Sequence, residues 1–140
     1  MTEADGLFVY GTLREGGSNH AWLNRTHPVG ACSATAVGRL FHLPMEGYPA
    51  MVATPSDTRV HGEFVGYEDE GDLASALADL DALEGVEEGL FVRQILPVRL
   101  ENGQEFKAWI YLFPEDRLPR LEREAVELSG GDWSSYLSEA

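Results

Sequence analysis

Glu84 ends the stretch Leu80-Asp81-Ala82-Leu83-Glu84-Gly85, the close of an apolar-periodic segment directly before a glycine. A carboxyl at the C-terminal end of a helix meets the negative pole of the helix dipole, which favours its protonated form. Asp81, three residues earlier, adds like-charge pressure. An acid lifted above the reference value of about 4.3 suits general acid–base work. The plain alternative is an ordinary exposed glutamate in an acidic chain, and position alone leaves both open.

A second candidate is the turn Gly11 to Ser18, Gly-Thr-Leu-Arg-Glu-Gly-Gly-Ser, which follows the apolar run Leu7 to Tyr10. Its glycines are spaced like a phosphate-binding loop, but the lysine before the final serine is missing. What remains is a row of backbone N–H groups after a strand, able to cradle a carboxylate or a carbonyl oxygen. A tight turn that simply needs glycine reads the same way. His61 and Glu63 share a strand face and His42 could approach them, yet they do not make a metal-ligand set, so no metal is expected. Cys32 lacks an evident histidine partner and is expected as a buried structural thiol. No Gly-x-Ser-x-Gly nucleophile elbow occurs.

These residues need elements to hold them. Leu7 to Tyr10 is continuously apolar and predicts a strand buried on both faces. Ser18 is a plausible cap for a short turn with Ala21, Trp22 and Leu23. Val29 to Leu43 reads as one bent strand or two short ones, Ala50 to Val52 as a short strand, and Val60 to Tyr67 as a strand that alternates. The clearest helix runs from about Leu73 to Leu83, with Leu73, Leu77, Leu80 and Leu83 or Ala76 on one stripe, Asp72 as its N-cap and Gly85 as its stop. Phe91 to Leu100 and Glu105 to Phe113 predict a hairpin about Asn102-Gly103, and residues 118–128 a second helix. The expected fold class is α+β: a small mixed, barrel-like sheet with one or two packed helices, since glycines within strands favour a curved sheet.

The 140 residues suit one domain, residues 1–140, large enough to bury its own core. The hydrophobic fraction of 44% is ordinary, and no stretch reaches the ~20 apolar residues of a membrane span. The single cysteine fits a reducing compartment, and acids near Met1 do not read as a signal peptide, so a cytoplasmic location is expected. The net charge of −14 argues against a nucleic-acid partner. Lys107 is the single lysine, a composition found where solvated carboxylates keep a chain soluble in strong salt; an ordinary acidic protein is the other reading. If the surface is adapted to salt, the melting temperature rises steeply from low to molar KCl; a flat profile leaves the ordinary reading.

Six separated stretches resemble one family in order and spacing. Phe8-Val9-Tyr10-Gly11-Thr12-Leu13 resembles the opening Tyr-Gly-Thr/Ser-Leu of the gamma-glutamylcyclotransferase-like, or AIG2-like, family. Glu46 to Val52, Val60 to Glu68 and Leu80 to Gly85 are similar to its Gly-Tyr-Pro-Ala, Val-x-Gly-Glu and Leu-Asp-x-x-Glu-Gly segments, and Ala108 to Phe113 and Gly130 to Leu137 to its last strand and tail. The resemblance implies a small barrel-like fold and an intramolecular cyclisation that releases 5-oxoproline from a γ-glutamyl compound. It implies Glu84 as the acid/base, Tyr10, Gly11, Thr12 and Leu13 as the substrate cradle, and Tyr111 as a further substrate-binding residue. It implies a small-molecule partner and no cofactor. Where the family often has Tyr-x-Arg after the glutamate, this chain has Phe91-Val92-Arg93.

The chemistry suits the residues. The substrate's α-amine must lose a proton and attack its own γ-carbonyl, so the site mainly holds one folded conformer. It needs a base near the amine and N–H donors near the oxyanion. Two other readings stay open: a non-catalytic small-molecule-binding or regulatory domain of the same fold, and a different acyl- or amine-transfer enzyme. Trp133 and Tyr136 are expected to pack on their own barrel.

Overall fold

In the computed structural model, residues 4–11, 30–44, 48–53, 58–87, 89–133 and 136 are described. The opening apolar run forms β1 (Gly6–Val9), all four residues buried. Its alternate side chains serve two cores, which is why the run shows no polar face. Leu7 and Val9 join one cluster, Phe8 and the following Tyr10 the other.

The Val29–Leu43 stretch divides into β2 (Gly30–Val37) and β3 (Arg39–Leu43). The bend falls at Gly38, where a Cβ would lie 2.7 Å from the Val52 carbonyl oxygen. β4 (Tyr48–Val52), β5 (Arg59–Gly66), β6 (Val92–Leu100) and β7 (Glu105–Leu112) follow. Strands 1, 5, 2, 6 and 7 close a barrel in that order. β1 is antiparallel to β5 and parallel to β7, and this parallel pair, Gly6 beside Ala108 and Leu7 beside Trp109, shuts the ring. Phe8, Ala34, Ala36, Val60, Phe64, Val98, Ala108 and Ile110 fill the interior. Gly62 makes room there: a Cβ would sit 2.8 Å from the Phe8 ring and 2.3 Å from the Val9 carbonyl oxygen. The β6–β7 hairpin turns at Asn102-Gly103 as expected, with Gly103 at φ 89°.

Helix α1 spans Glu70–Leu83 and lies on the outer wall of the barrel. Leu73, Ala76, Leu77 and Leu80 are buried against Leu7, Val9, Val65, Tyr111 and Phe113. The predicted stripe is therefore the docking face, although Leu83 at its end is 37% exposed. The N-cap is Asp69, not Asp72: its Oδ1 accepts from the Gly71 and Asp72 amides at 2.6 and 3.2 Å. Asp72 sits inside the first turn, where its charge still suits the dipole. Asp69→Ala is expected to cost about 1 kcal/mol in a denaturant titration, and Asp72→Ala less than half as much.

The second helix is shorter than expected. α2 spans Leu118–Glu124 after a 3-10 turn at Glu115–Arg117. The chain then extends into β8 (Val126–Glu127), which joins β4 and β3 in a separate three-stranded sheet. Ala125 is already extended, with ψ 163°. The tail packs on its own fold: Trp133 is buried, and its Nε1 donates to Nδ1 of His42 at 3.1 Å. Cys32 lies on the exposed half of β2 rather than in the core. The Ser18 turn lies outside the described residues.

Candidate active site

Glu84 caps the C-terminal end of α1. Its amide donates to the Leu80 carbonyl at 2.8 Å, so it still closes a helical bond while its backbone leaves the helix. Gly85 then takes φ 66°, a left-handed conformation that stops the helix and suits glycine. Glu84 is half-buried, and desolvation pushes its carboxyl from an ordinary value of 4.5 up to about 7. Burial is the cause. Asp81, expected from the sequence to add like-charge pressure, is not among the causes. Asp81 is paired instead: its Oδ1 lies 3.1 Å from Nε of Arg93.

Two phenols lie within electrostatic reach of Glu84. Tyr10, at the end of β1, is buried and its hydroxyl donates to the carbonyl oxygen of Tyr111. Burial first, then the Glu84 charge, hold its pKa well above the usual phenol range, against a backbone hydrogen bond from Met51. Tyr111, on β7, is also buried; its hydroxyl donates to Asp81 Oδ1 at 2.7 Å. Burial, the Asp81 hydrogen bond and the Asp81 charge raise its pKa, Arg93 opposes them, and Glu84 adds to the rise. Both phenols are therefore neutral hydrogen-bonding groups at any working pH.

The turn after β1 comes in from one side. At Gly11 a Cβ would lie 2.8 Å from Cγ of Pro49, so glycine lets this turn press against β4. Two stretches far apart in sequence, at Tyr10-Gly11 and at Pro49-Ala50, thus meet. Thr12 and Leu13, the rest of the expected cradle, lie outside the described residues. Tyr10 and Gly11 come from the turn after β1, Glu84 from the end of α1 and Tyr111 from β7. They bring a carboxyl of near-neutral pKa to two fixed neutral phenols, an arrangement able to move a proton without a metal. Among the described residues no group of three or more His, Cys, Asp and Glu could hold a metal ion.

Phe91 is a core residue. It is 5% exposed and meets Phe113 edge-on, with ring centroids 6.0 Å apart. Sequence reasoning passed over Arg93 and gave Asp81 the wrong part. Both stand within motif-like segments, but nothing in their spacing says that they meet each other across Tyr111. A cavity of about 360 Å³ between β2, β5 and the end of β6, lined by Thr35, His61, Arg99 and Asp132 among others, contains none of the Glu84 group. No helix among the described residues is long and apolar enough to cross a membrane.

Residues 7–135 match the family model described as gamma-glutamyl cyclotransferase, AIG2-like. A Vibrio cholerae protein bearing the name "Putative gamma-glutamylcyclotransferase" is 32% identical over 91% of this chain and 93% of its own length. The crystal structure of YkqA from Bacillus subtilis superposes with a TM-score of 0.65 at 25% identity; it matches 93% of this chain, which spans 39% of that longer protein. A mouse AIG2-like protein superposes with a TM-score of 0.58 at 23% identity, covering 80% of each chain.

Proposed function

This chain belongs to the AIG2-like gamma-glutamyl cyclotransferase family, and from that premise we propose that it cyclises a γ-glutamyl compound, releasing 5-oxoproline and a free amine or amino acid, with Glu84 as the acid/base. The observation that carries this reading is the half-buried Glu84 carboxyl, poised at about 7 beside the Tyr10 and Tyr111 phenols. A substrate α-amine has a reference pKa of about 8, so a base near 7 is well matched to it.

In the proposed reaction the carboxylate of Glu84 takes a proton from the α-ammonium group. The freed nitrogen lone pair attacks the γ-carbonyl carbon and closes the five-membered ring. The amide C–N bond then breaks as Glu84 returns that proton to the departing nitrogen, and the second proton of the ring nitrogen passes through the Glu84 carboxylate to the released amine. Two of the three ammonium protons end on the departing amine, so no water and no co-reactant are consumed. The backbone from Tyr10 through Leu13 would hold the oxyanion or the α-carboxylate by N–H donors. No cofactor is needed.

The test is release of 5-oxoproline from a panel of γ-glutamyl amino acids, γ-glutamyl amines and glutathione. Because Glu84 must be ionised to act as base, kcat is expected to rise about tenfold per pH unit below about 7 and to level above it. A folded protein that binds members of the panel and releases no 5-oxoproline would sink the catalytic reading in favour of a binding domain.

A further inference from the structure

Thr35, His61 and Arg99 stand side by side across three strands of the barrel. Thr35 of β2 is opposite His61 of β5 on one side and opposite Arg99 of β6 on the other. Directly opposed residues share a face of a sheet. Their chain neighbours Ala34, Ala36, Val60 and Val98 fill the barrel interior, so these three project from its outside. There they line the cavity of about 360 Å³ that contains none of the Glu84 group. That volume lies in the range of small-molecule sites.

The row presents donors. Arg59 Nε donates to Thr35 Oγ1 at 2.7 Å, which fills a lone pair and leaves the hydroxyl its own proton to give. Among the described residues no acceptor takes that proton, and no hydrogen bond engages the His61 imidazole. The ion pair of Arg99 with Glu105 is long, 3.4 Å, between side chains 53% and 61% exposed. It commits little of a guanidinium that carries several N–H donors. The chain has 10 lysines and arginines against 24 acids, yet Arg59 and Arg99 both gather about this one hydroxyl. Such a centre takes an anionic oxygen.

The rest of the wall narrows the ligand. Glu101 and Asp132 line the same cavity and repel a second negative charge. Ala34 and Leu100 add apolar surface, which favours a short hydrocarbon body.

We propose that this cavity is a second ligand site, for a small monocarboxylate with a short apolar body, its carboxylate held by Thr35, His61 and Arg99. The site stands whether or not Glu84 catalyses a cyclisation.

The probe is 4-methylpentanoate, followed by proton–nitrogen NMR titration at about pH 8 and about 0.15 M salt, where long-range repulsion from the acidic surface is screened. The amide signals of Thr35, His61 and Arg99 are expected to shift and to saturate with a Kd of about 1 mM, while those of Tyr10, Glu84 and Tyr111 stay in place. The uncharged isostere 4-methylpentanamide, and inorganic phosphate, a dianion at this pH, are each expected to bind at least about tenfold more weakly. Arg99→Gln is expected to weaken 4-methylpentanoate binding about tenfold and Thr35→Val about fivefold. Equal affinities of wild type for the acid and the amide overturn the proposal, whether or not either variant folds. Phosphate binding as tight as that of the carboxylate overturns it, as do shifts confined to the surroundings of Glu84. It also falls if no saturation is seen up to about 20 mM, or if both folded variants bind like wild type.

Discussion

Glu84→Gln is expected to lower 5-oxoproline release about a thousandfold and, at pH 8, to make the protein about 2 kcal/mol more stable. The two effects have one origin. Desolvation raises the carboxyl to about 7 in the folded chain, against 4.5 for the exposed group. The folded protein therefore keeps a proton that the unfolded chain releases between about pH 4.5 and about pH 7. Stability from this group falls as pH rises through that window, and the cost is complete above it. Glutamine fills the same space without a charge to desolvate, so the gain appears at pH 8 and vanishes near pH 4.5. Thermal melts of both proteins at the two pH values, beside initial rates, check this. Retention of more than a tenth of the wild-type rate would remove Glu84 from the mechanism. A stability gain equal at both pH values would remove burial of the charge as its cause.

Leu80→Ala is expected to cost about 3 kcal/mol and to lower kcat/KM about tenfold even where the protein is fully folded. Leu80 is 1% exposed and anchors the last buried turn of α1 on the barrel wall. Truncation removes the contact and leaves a cavity, and the surroundings relax into it only in part. The Leu80 carbonyl also holds the Glu84 amide at 2.8 Å, so relaxation of that turn moves Glu84 with it. Leu83→Ala is the control. It makes the same chemical change one residue before Glu84, at a side chain 37% exposed. It is expected to stay within about 0.5 kcal/mol of wild type and near full activity. Matching effects of the two substitutions in urea unfolding and steady-state kinetics would mean that helix docking does not set the position of Glu84.

The elements with strong local signals were legible in the sequence. Leu73, Leu77 and Leu80 recur at helical spacing because one face of α1 meets the barrel, and Asn102-Gly103 marks a turn because Gly103 takes a positive φ. Boundaries were less secure where two residues could do the same work. Asp69 and Asp72 are both fit to cap a helix, and the winner is the one whose backbone is extended, at ψ 121°. The helix predicted over 118–128 stops at Glu124 because Val126 and Glu127 pair with His42 and Phe41 of β3, a long-range contact with no local trace. At the site, Glu84 stood out by its position before Gly85. The cause of its elevated pKa did not, because burial belongs to the tertiary fold and the charge of Asp81 is answered by Arg93 from another strand. Phe91, which stands where the resembled family often has tyrosine, packs on Phe113 as a core side chain.

The parallel pairing of β1 with β7 bears on when the surroundings of Glu84 can form during synthesis. Gly6 and Leu7 leave the ribosome about a hundred residues ahead of their partners Ala108 and Trp109. The bond from the Tyr10 hydroxyl to the Tyr111 carbonyl spans the same interval. Until then β1 has an open edge, and the barrel against which α1 shelters Glu84 does not exist. Loop closure over such a separation comes late, and rings built from distant strands fold in milliseconds to seconds rather than microseconds. From the synthesis of Glu84 until Ala108 and Trp109 follow, the nascent chain holds Glu84 and the Tyr10–Gly11 turn as unconnected pieces. The surroundings of Glu84 are complete only when the seventh strand zips against the first.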